Sequence, residues 1–156
     1  MADLTANKPR TFQGEPGTKF AFPMPANSQL FAGALLMVSA AGYAANCTPT
    51  ASGRFLGVAH EAKDNRTGSV YGGTDNSTTI EVVMRGILVL KSHARSTSTW
   101  GQADIGATMY ALDGDTPTEA AGTNNIVIGK ILALSALGAA TADVYVAFES
   151  TMLRSI

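Results

Sequence analysis

The sequence predicts an all-β protein, a compact β-barrel or β-sandwich preceded by an extended N-terminal arm. From about residue 31, short apolar runs alternate with stretches of Gly, Asn, Asp, Ser and Thr, a pattern typical of strands joined by turns. Four of the six prolines lie in the first 25 residues. The length of 156 residues fits one domain, so we predict an arm over residues 1–30 and a single β domain over residues 31–156.

The predicted arm is extended because each proline fixes φ and pushes the preceding residue out of the helical region. Its phenylalanine content is unlike that of a solvated tail, so the segment must contact something apolar. Two interpretations stay open: the arm folds back over its own domain, or it reaches a partner subunit. The residues expected at such a contact are Phe12, Phe20, Phe22, Pro23, Pro25 and Phe31.

Six strands are expected in the domain. They are Ala34–Ser39, Arg54–Glu61, Thr79–Leu90, Thr108–Leu112, Ile126–Leu134 and Val144–Phe148. In the last of these, Val144, Val146 and Phe148 alternate with more polar neighbours, which indicates one apolar face. Gly86 predicts a bulge or bend within the long third strand. Residues 132–140 are rich in Ala and Leu, so a short helical turn is the alternative there.

The chain also contains a weak internal repeat. An apolar run after Gly33 is followed by a second run around Gly57, and the same order recurs at Gly106 and Gly129, with spacings of 24 and 23 residues. Each unit is followed by a further apolar strand. The pattern predicts two similar halves that pack against each other, with ordinary turn spacing of a β meander as the alternative.

Composition excludes several classes of protein. Charged residues make up only 15% of the chain and the net charge is −1, so there is no basic field for nucleic-acid binding. The longest apolar stretch, residues 31–45, is too short to span a membrane and does not look like an export signal. Cys47 is the single cysteine, which excludes an intrachain disulfide and a cysteine zinc site.

We find no constellation that predicts catalysis, a cofactor or a metal site. The two histidines, His60 and His93, have no nucleophile or carboxylate in a recognised motif beside them. Asp113-Gly114-Asp115 departs from the order of a calcium loop and is interpreted as a turn. The sequence therefore predicts that the protein is not an enzyme, and Cys47 is expected to be inert.

Two features predict contacts with other proteins. Lys91, His93 and Arg95 alternate, so on a continuing strand they would share one face as a positive stripe, or else form a solvated edge. Trp100 follows a polar run and precedes Gly101, a position that suits an interface anchor as well as a core residue.

The order of these runs resembles the small head-decoration, or capsid cement, proteins of tailed bacteriophages over roughly residues 32–149. The segments that carry the resemblance are Gly33-Ala-Leu-Leu-Met-Val, Phe55-Leu-Gly-Val-Ala, Val82-Val-Met-Arg-Gly-Ile-Leu-Val-Leu, Asp104-Ile-Gly-Ala-Thr-Met-Tyr-Ala, Ile126-Val-Ile-Gly-Lys-Ile-Leu and Val144-Tyr-Val-Ala-Phe. Residues 103–110 are its most telling part, and an acidic turn at Asp113-Gly114-Asp115 closes that segment. The arm is longer and richer in phenylalanine than in the smaller members of the family.

The resemblance implies a virion protein on the outer surface of an expanded capsid, made in the host cytoplasm. It also implies the major capsid protein as partner, self-association as a homotrimer, and no catalysis. Two alternatives remain, a receptor- or carbohydrate-binding β module of a phage tail or cell surface, and a small enzyme. A glycan-binding module would be expected to expose an aromatic cluster, for which only Trp100 and Tyr71 qualify.

Overall fold

The computed structural model describes residues 3–51 and 53–154, and within these ranges the chain is almost entirely β-structure. The strands are β1 (Thr11–Phe12), β2 (Lys19–Pro23), β3 (Ser28–Leu30), β4 (Leu35–Val38), β5 (Ala44–Asn46), β6 (Arg54–Ala59), β7 (Lys63–Asn65), β8 (Thr79–Val83), β9 (Arg85–Ala94), β10 (Thr108–Ala111), β11 (Pro117–Thr118), β12 (Ile126–Leu134) and β13 (Thr141–Glu149). A 3-10 turn at Gln102–Asp104 and a single helical turn, α1 (Thr151–Arg154), complete the described elements. The predicted all-β class is confirmed.

The strands form three antiparallel sheets. Sheet A has the order β1-β9-β13-β12-β10-β11, sheet B has the order β2-β8-β6-β4-β5, and β3 pairs with β7 as a two-stranded ribbon. Sheets A and B pack face to face as a β-sandwich, because one cluster of buried side chains draws on both of them, for example Phe55 of sheet B and Phe148 of sheet A.

The predicted long strand Thr79–Leu90 is a corner between the two sheets. The chain leaves sheet B after Val83 and enters sheet A at Arg85, with Met84 between them. The bend predicted at Gly86 therefore occurs two residues earlier. A strand that changes sheets in this way is a common means of joining the two layers of a sandwich.

The internal repeat is present in the topology. The order β5-β4-β6-β8 in sheet B recurs as β11-β10-β12-β13 in sheet A. The Gly33 N–H donates to the Ala59 carbonyl, and the Gly106 N–H donates to the Ile131 carbonyl in the same way. In each repeat unit, the pairing register shifts immediately after the residue pair that contains the second glycine. This glycine is Gly57 in sheet B and Gly129 in sheet A.

The two faces of sheet B are both buried. One face supplies Leu35, Phe55 and Val58 to the core shared with sheet A. The opposite face forms a second core with residues that come from outside the sheet, including Met24, Leu30 and, at its margin, Leu153. Alternation along β13 buries Val144, Val146 and Phe148 as predicted.

The N-terminal segment is not a separate arm. Its strands β1 and β2 are edge strands of sheets A and B, and Met24 is fully buried in the second core. The boundary predicted at residue 30 is thus corrected: within the described residues, this segment belongs to the β domain, and it folds back over its own domain. The helical turn considered for residues 132–140 is also absent, because β12 runs to Leu134 and an irregular connection follows.

No helix in the described part of the chain is long and apolar enough to cross a membrane.

Candidate interaction surfaces

The phenylalanines of the N-terminal segment differ in exposure. Phe12 packs on Phe148 with ring centroids 6.0 Å apart, and Phe22 packs against the second core. Phe20 lies between them in sequence, yet 56% of its surface is exposed. Phe31 is half-buried. Of the predicted contact phenylalanines, Phe20 is the one that is mostly exposed, whereas the other three are half-buried.

Phe20 lies on a free sheet edge, because β2 pairs with β8 on one side only. The Met84 N–H donates to the Thr18 carbonyl at 2.7 Å, and the Met24 N–H donates to the Thr78 carbonyl at 3.1 Å. Even-numbered residues of β2 therefore turn their backbone groups towards β8, and odd-numbered residues turn theirs outwards. Proline at position 23 fits this edge, since it has no N–H to leave unpaired.

Pro25, the other proline predicted at a contact, helps to hold a turn of this chain. Pro25 is half-buried, and its carbonyl accepts hydrogen bonds from the Ser28 hydroxyl and from the Asn65 side chain, both at 2.9 Å. Asn65 is fully buried, so these bonds fix the turn between β2 and β3 onto the ribbon.

A buried arginine holds the N-terminal segment in place. The Arg10 side chain is 8% exposed; its Nε donates to the Gly33 carbonyl at 2.8 Å, and its Nη2 donates to the Asp115 carbonyl at 2.9 Å. Burial lowers the pKa of Arg10, and Asp115 opposes that shift. Arg10 precedes β1 and Asp115 precedes β11, so this contact links the two edges of sheet A.

Trp100 is a core residue. It is fully buried, its Nε1 donates to the His93 carbonyl at 2.9 Å, and the Arg95 guanidinium lies 5.9 Å from the ring centre. The backbone N–H of Trp100 also donates to the Ala139 carbonyl, so the loop that carries Trp100 folds onto the β12–β13 connection. The contact role predicted for Trp100 is corrected, because a partner cannot reach the indole.

The predicted stripe of positive charge does not form. Ser92 has a φ of +44°, which breaks the alternation of β9 between Lys91 and His93. Arg95 instead pairs with Asp104 at 3.0 Å, which lowers the pKa of that carboxyl group. The pKa of His93 is lowered, mainly because its ring is partly buried.

Three other sequence candidates lie apart from one another. The Asp113 carboxylate accepts the N–H groups of Asp115 and Thr116, which makes the predicted turn. His60 is exposed, 3.6 Å from Glu81. Cys47 is buried, and burial raises the pKa of its thiol. Among the described residues, no group of three or more His, Cys, Asp and Glu side chains is placed to hold a metal ion.

The sequence reasoning did not identify the outer face of sheet A, which carries a shallow groove of about 580 Å³. The groove is lined by Thr108, Tyr110, Val127, Ile128, Gly129, Lys130, Ala147, Phe148 and Glu149. Val127 is 38% exposed, and Leu132 further along β12 is 48% exposed. The alternation in β13 was the available signal, because it placed Tyr145, Ala147 and Glu149 together on this second face.

Comparisons of the chain with protein-family models, with curated proteins and with solved structures gave no significant match.

Proposed function

We propose that the protein is a structural decoration protein that binds the outside of an expanded phage capsid and stabilises contacts between major capsid subunits. The resemblance of residues 32–149 to capsid cement proteins supports the proposal. The observation that carries it is the exposed Phe20 on the free edge of sheet B, an apolar anchor on a strand that is paired with β8. The proposal assigns the protein no catalytic step, and it keeps the homotrimer and the virion surface as its expected setting.

The mode of docking differs from that of a loose arm. Pairing with β8 and the Arg10 contact hold the segment around Phe20 before any partner arrives. Binding then does not have to order the whole segment, which lowers its entropic cost. Burial of the Phe20 ring contributes about 1.5–3 kcal/mol for each copy.

Many copies act together on one shell. A subunit that binds the expanded lattice more tightly than the unexpanded one stabilises the expanded state by mass action. A protein without chemistry of its own can therefore reinforce a capsid against internal pressure. The carbohydrate-binding alternative loses support, since Trp100 is buried and Tyr71 alone remains of the two aromatic side chains that it needed.

The test is the amount of this protein on capsids of the phage that encodes it, measured after density-gradient fractionation against the major capsid protein. A ratio near one copy per capsid subunit is expected. A few copies per particle would indicate a vertex or tail protein, and absence from particles would contradict the proposal.

A matched pair of variants tests the anchor. Phe20→Ala is expected to weaken binding to expanded capsids by about tenfold or more, because one buried phenyl ring is lost. Leu137→Ala is the control, because Leu137 is equally exposed, at 55% against 56%, but lies between β12 and β13. Equal binding by both variants would remove Phe20 from the interface.

A further inference from the structure

The outer face of sheet A is the uncovered face of the sandwich. The inner face of sheet A and one face of sheet B cover each other. The second face of sheet B lies beneath Met24, Leu30 and neighbouring side chains. The fourth face, with Tyr110 and Val127, has no covering layer in the part of the chain that the structure describes.

The internal repeat shows how this face relates to one that is covered. When the two repeat units are aligned by strand register, Thr108 corresponds to Leu35. Thr108 pairs with Lys130 in sheet A, and Leu35 pairs with Val58 in sheet B. Tyr110 likewise takes the position of Met37. The sheet B residues at these positions are buried against sheet A. The outer face of sheet A therefore repeats the positions that pack on another sheet within this molecule.

The outer face has the composition of an association surface. Its centre holds Val127, Tyr110 and the small residue Ala147, none of them charged. The Lys130 ammonium group donates to the Thr108 hydroxyl at 2.7 Å, so the hydroxyl keeps a partner when water leaves. A mixture of aromatic, aliphatic and paired polar groups is typical of protein–protein interfaces.

The charges on this face complement each other. Lys130 lies opposite Ala147, and Glu149 is two residues further along β13 on the same face. These two charges of opposite sign thus sit diagonally across neighbouring strands. A two-fold axis that lies along the interface and passes between them brings each Lys130 against Glu149 of a second copy.

We propose that two copies of this chain associate through the outer faces of their A sheets, related by a two-fold axis. A second copy can supply the same face, because the two inner faces cover each other and the second core covers the other face of sheet B apart from Phe20. An isologous contact needs a patch that is complementary to itself, and the Lys130 and Glu149 arrangement provides it. The proposal concerns pairs of chains free in solution, and it is separate both from capsid binding through Phe20 and from the homotrimer expected on the capsid.

The experiment is sedimentation velocity of the full chain without capsids, over a range of concentrations. We expect a weak dimer with a Kd of about 10–100 µM. Lys130→Glu and Glu149→Lys are each expected to raise that Kd by about tenfold or more, since each places like charges in contact twice. Trp100 fluorescence verifies that every variant is folded.

Mixing the two variants gives the decisive result. In a two-fold pair, Lys130→Glu on one copy meets Glu149→Lys on the other, and the unchanged Lys130 and Glu149 meet at the second contact. Association of the mixture is therefore expected within about threefold of the wild-type Kd. Effects inside one chain cannot produce this complementation.

A matched control uses the same changes in charge on other exposed residues. Arg66→Glu and Glu15→Lys alter the net charge by the same amounts, but neither residue lies on the outer face of sheet A. We expect these variants to dimerise like the wild type, alone and mixed. A wild-type chain that stays monomeric to about 500 µM would overturn the proposal. So would a trimer that is unaffected by Lys130→Glu.

Discussion

Gly57 and Gly129 occupy the same position in the two halves of the sandwich. Each pairs with the second residue of the neighbouring strand, Leu36 of β4 or Met109 of β10, immediately before the register shifts. Each also lies directly against a carbonyl of the next strand, that of Val83 or of Ala147, where a β-carbon would overlap the oxygen atom. The repeat is thus defined by a close approach of backbones as well as by strand order.

Replacing Gly129 by alanine should destabilise the protein. The methyl group would push β12 away from the Ala147 carbonyl, and overpacking against backbone costs about 1–3 kcal/mol or more. Gly101→Ala is the control, because Gly101 has φ −134° and open space around its β-carbon position. Urea unfolding measures both variants. Equal midpoints for Gly129→Ala and Gly101→Ala would show that the strands can separate without cost.

The longer strands of the domain could be predicted because their signal is local, whereas the short strands β5, β7 and β11 were not predicted. Alternation in Val144–Phe148 and the glycines of the repeat reflect pleat and close approach, which act between neighbouring positions. The fate of the first 30 residues could not be predicted in the same way. Phenylalanine and proline content indicates an extended segment that needs an apolar contact, but it does not specify whose surface provides it.

The candidate site shows the same limit. Phe20 was identified as a contact residue together with Phe12 and Phe22, and its exposure depends on the pairing of β2 with β8, a long-range contact. Trp100 has a polar local sequence, yet the loop folds onto the β12–β13 connection and buries it. The expected positive stripe depended on regular alternation along β9, and the positive φ of Ser92 breaks that alternation.

Deletion of residues 2–25 should unfold or strongly destabilise the protein. The deletion removes β1 and β2 from the sheet edges, removes the Arg10 contact with Asp115 and takes Met24 out of the second core. Loss of one buried methionine alone costs about 2–5 kcal/mol. Circular dichroism and urea unfolding test this, with Phe20→Ala as a variant that keeps the fold. A truncated chain with a full-length unfolding midpoint would restore the separate arm.

Stability should fall as the pH drops from about 7 towards 5. Burial, opposed by the Glu119 charge and assisted by Arg10 and Lys8, lowers the pKa of His93 in the folded protein. The unfolded chain has the ordinary value of about 6.5, so it binds more protons than the folded chain in this range. The stability gained by keeping His93 neutral in the folded protein is fully present above the pKa that His93 has in the unfolded chain. It is lost as the pH falls below that value. Urea midpoints against pH measure the slope.

The slope can be assigned to one side chain. His93→Gln should flatten the dependence between pH 7 and 5, because it removes the partly buried imidazole. The pKa of Asp104 is also lowered, mainly by its hydrogen bond with Arg95, but this carboxyl group affects stability in a different pH range. A carboxyl group with a lowered pKa loses its stabilising effect only as the pH falls below about 4. A slope that persists in His93→Gln would point to another group.

The Cys47 thiol should react only when the sandwich opens. Cys47 is 1% exposed and lies within the core shared by the two sheets. The pKa of its thiol is raised, mainly by burial, so little thiolate forms at neutral pH. We expect negligible modification by a thiol reagent such as DTNB in native buffer and one thiol per chain in urea. The modification rate at low urea should follow the opening of the core. Rapid labelling of the native protein would mean that the layer around Cys47 opens independently of global unfolding.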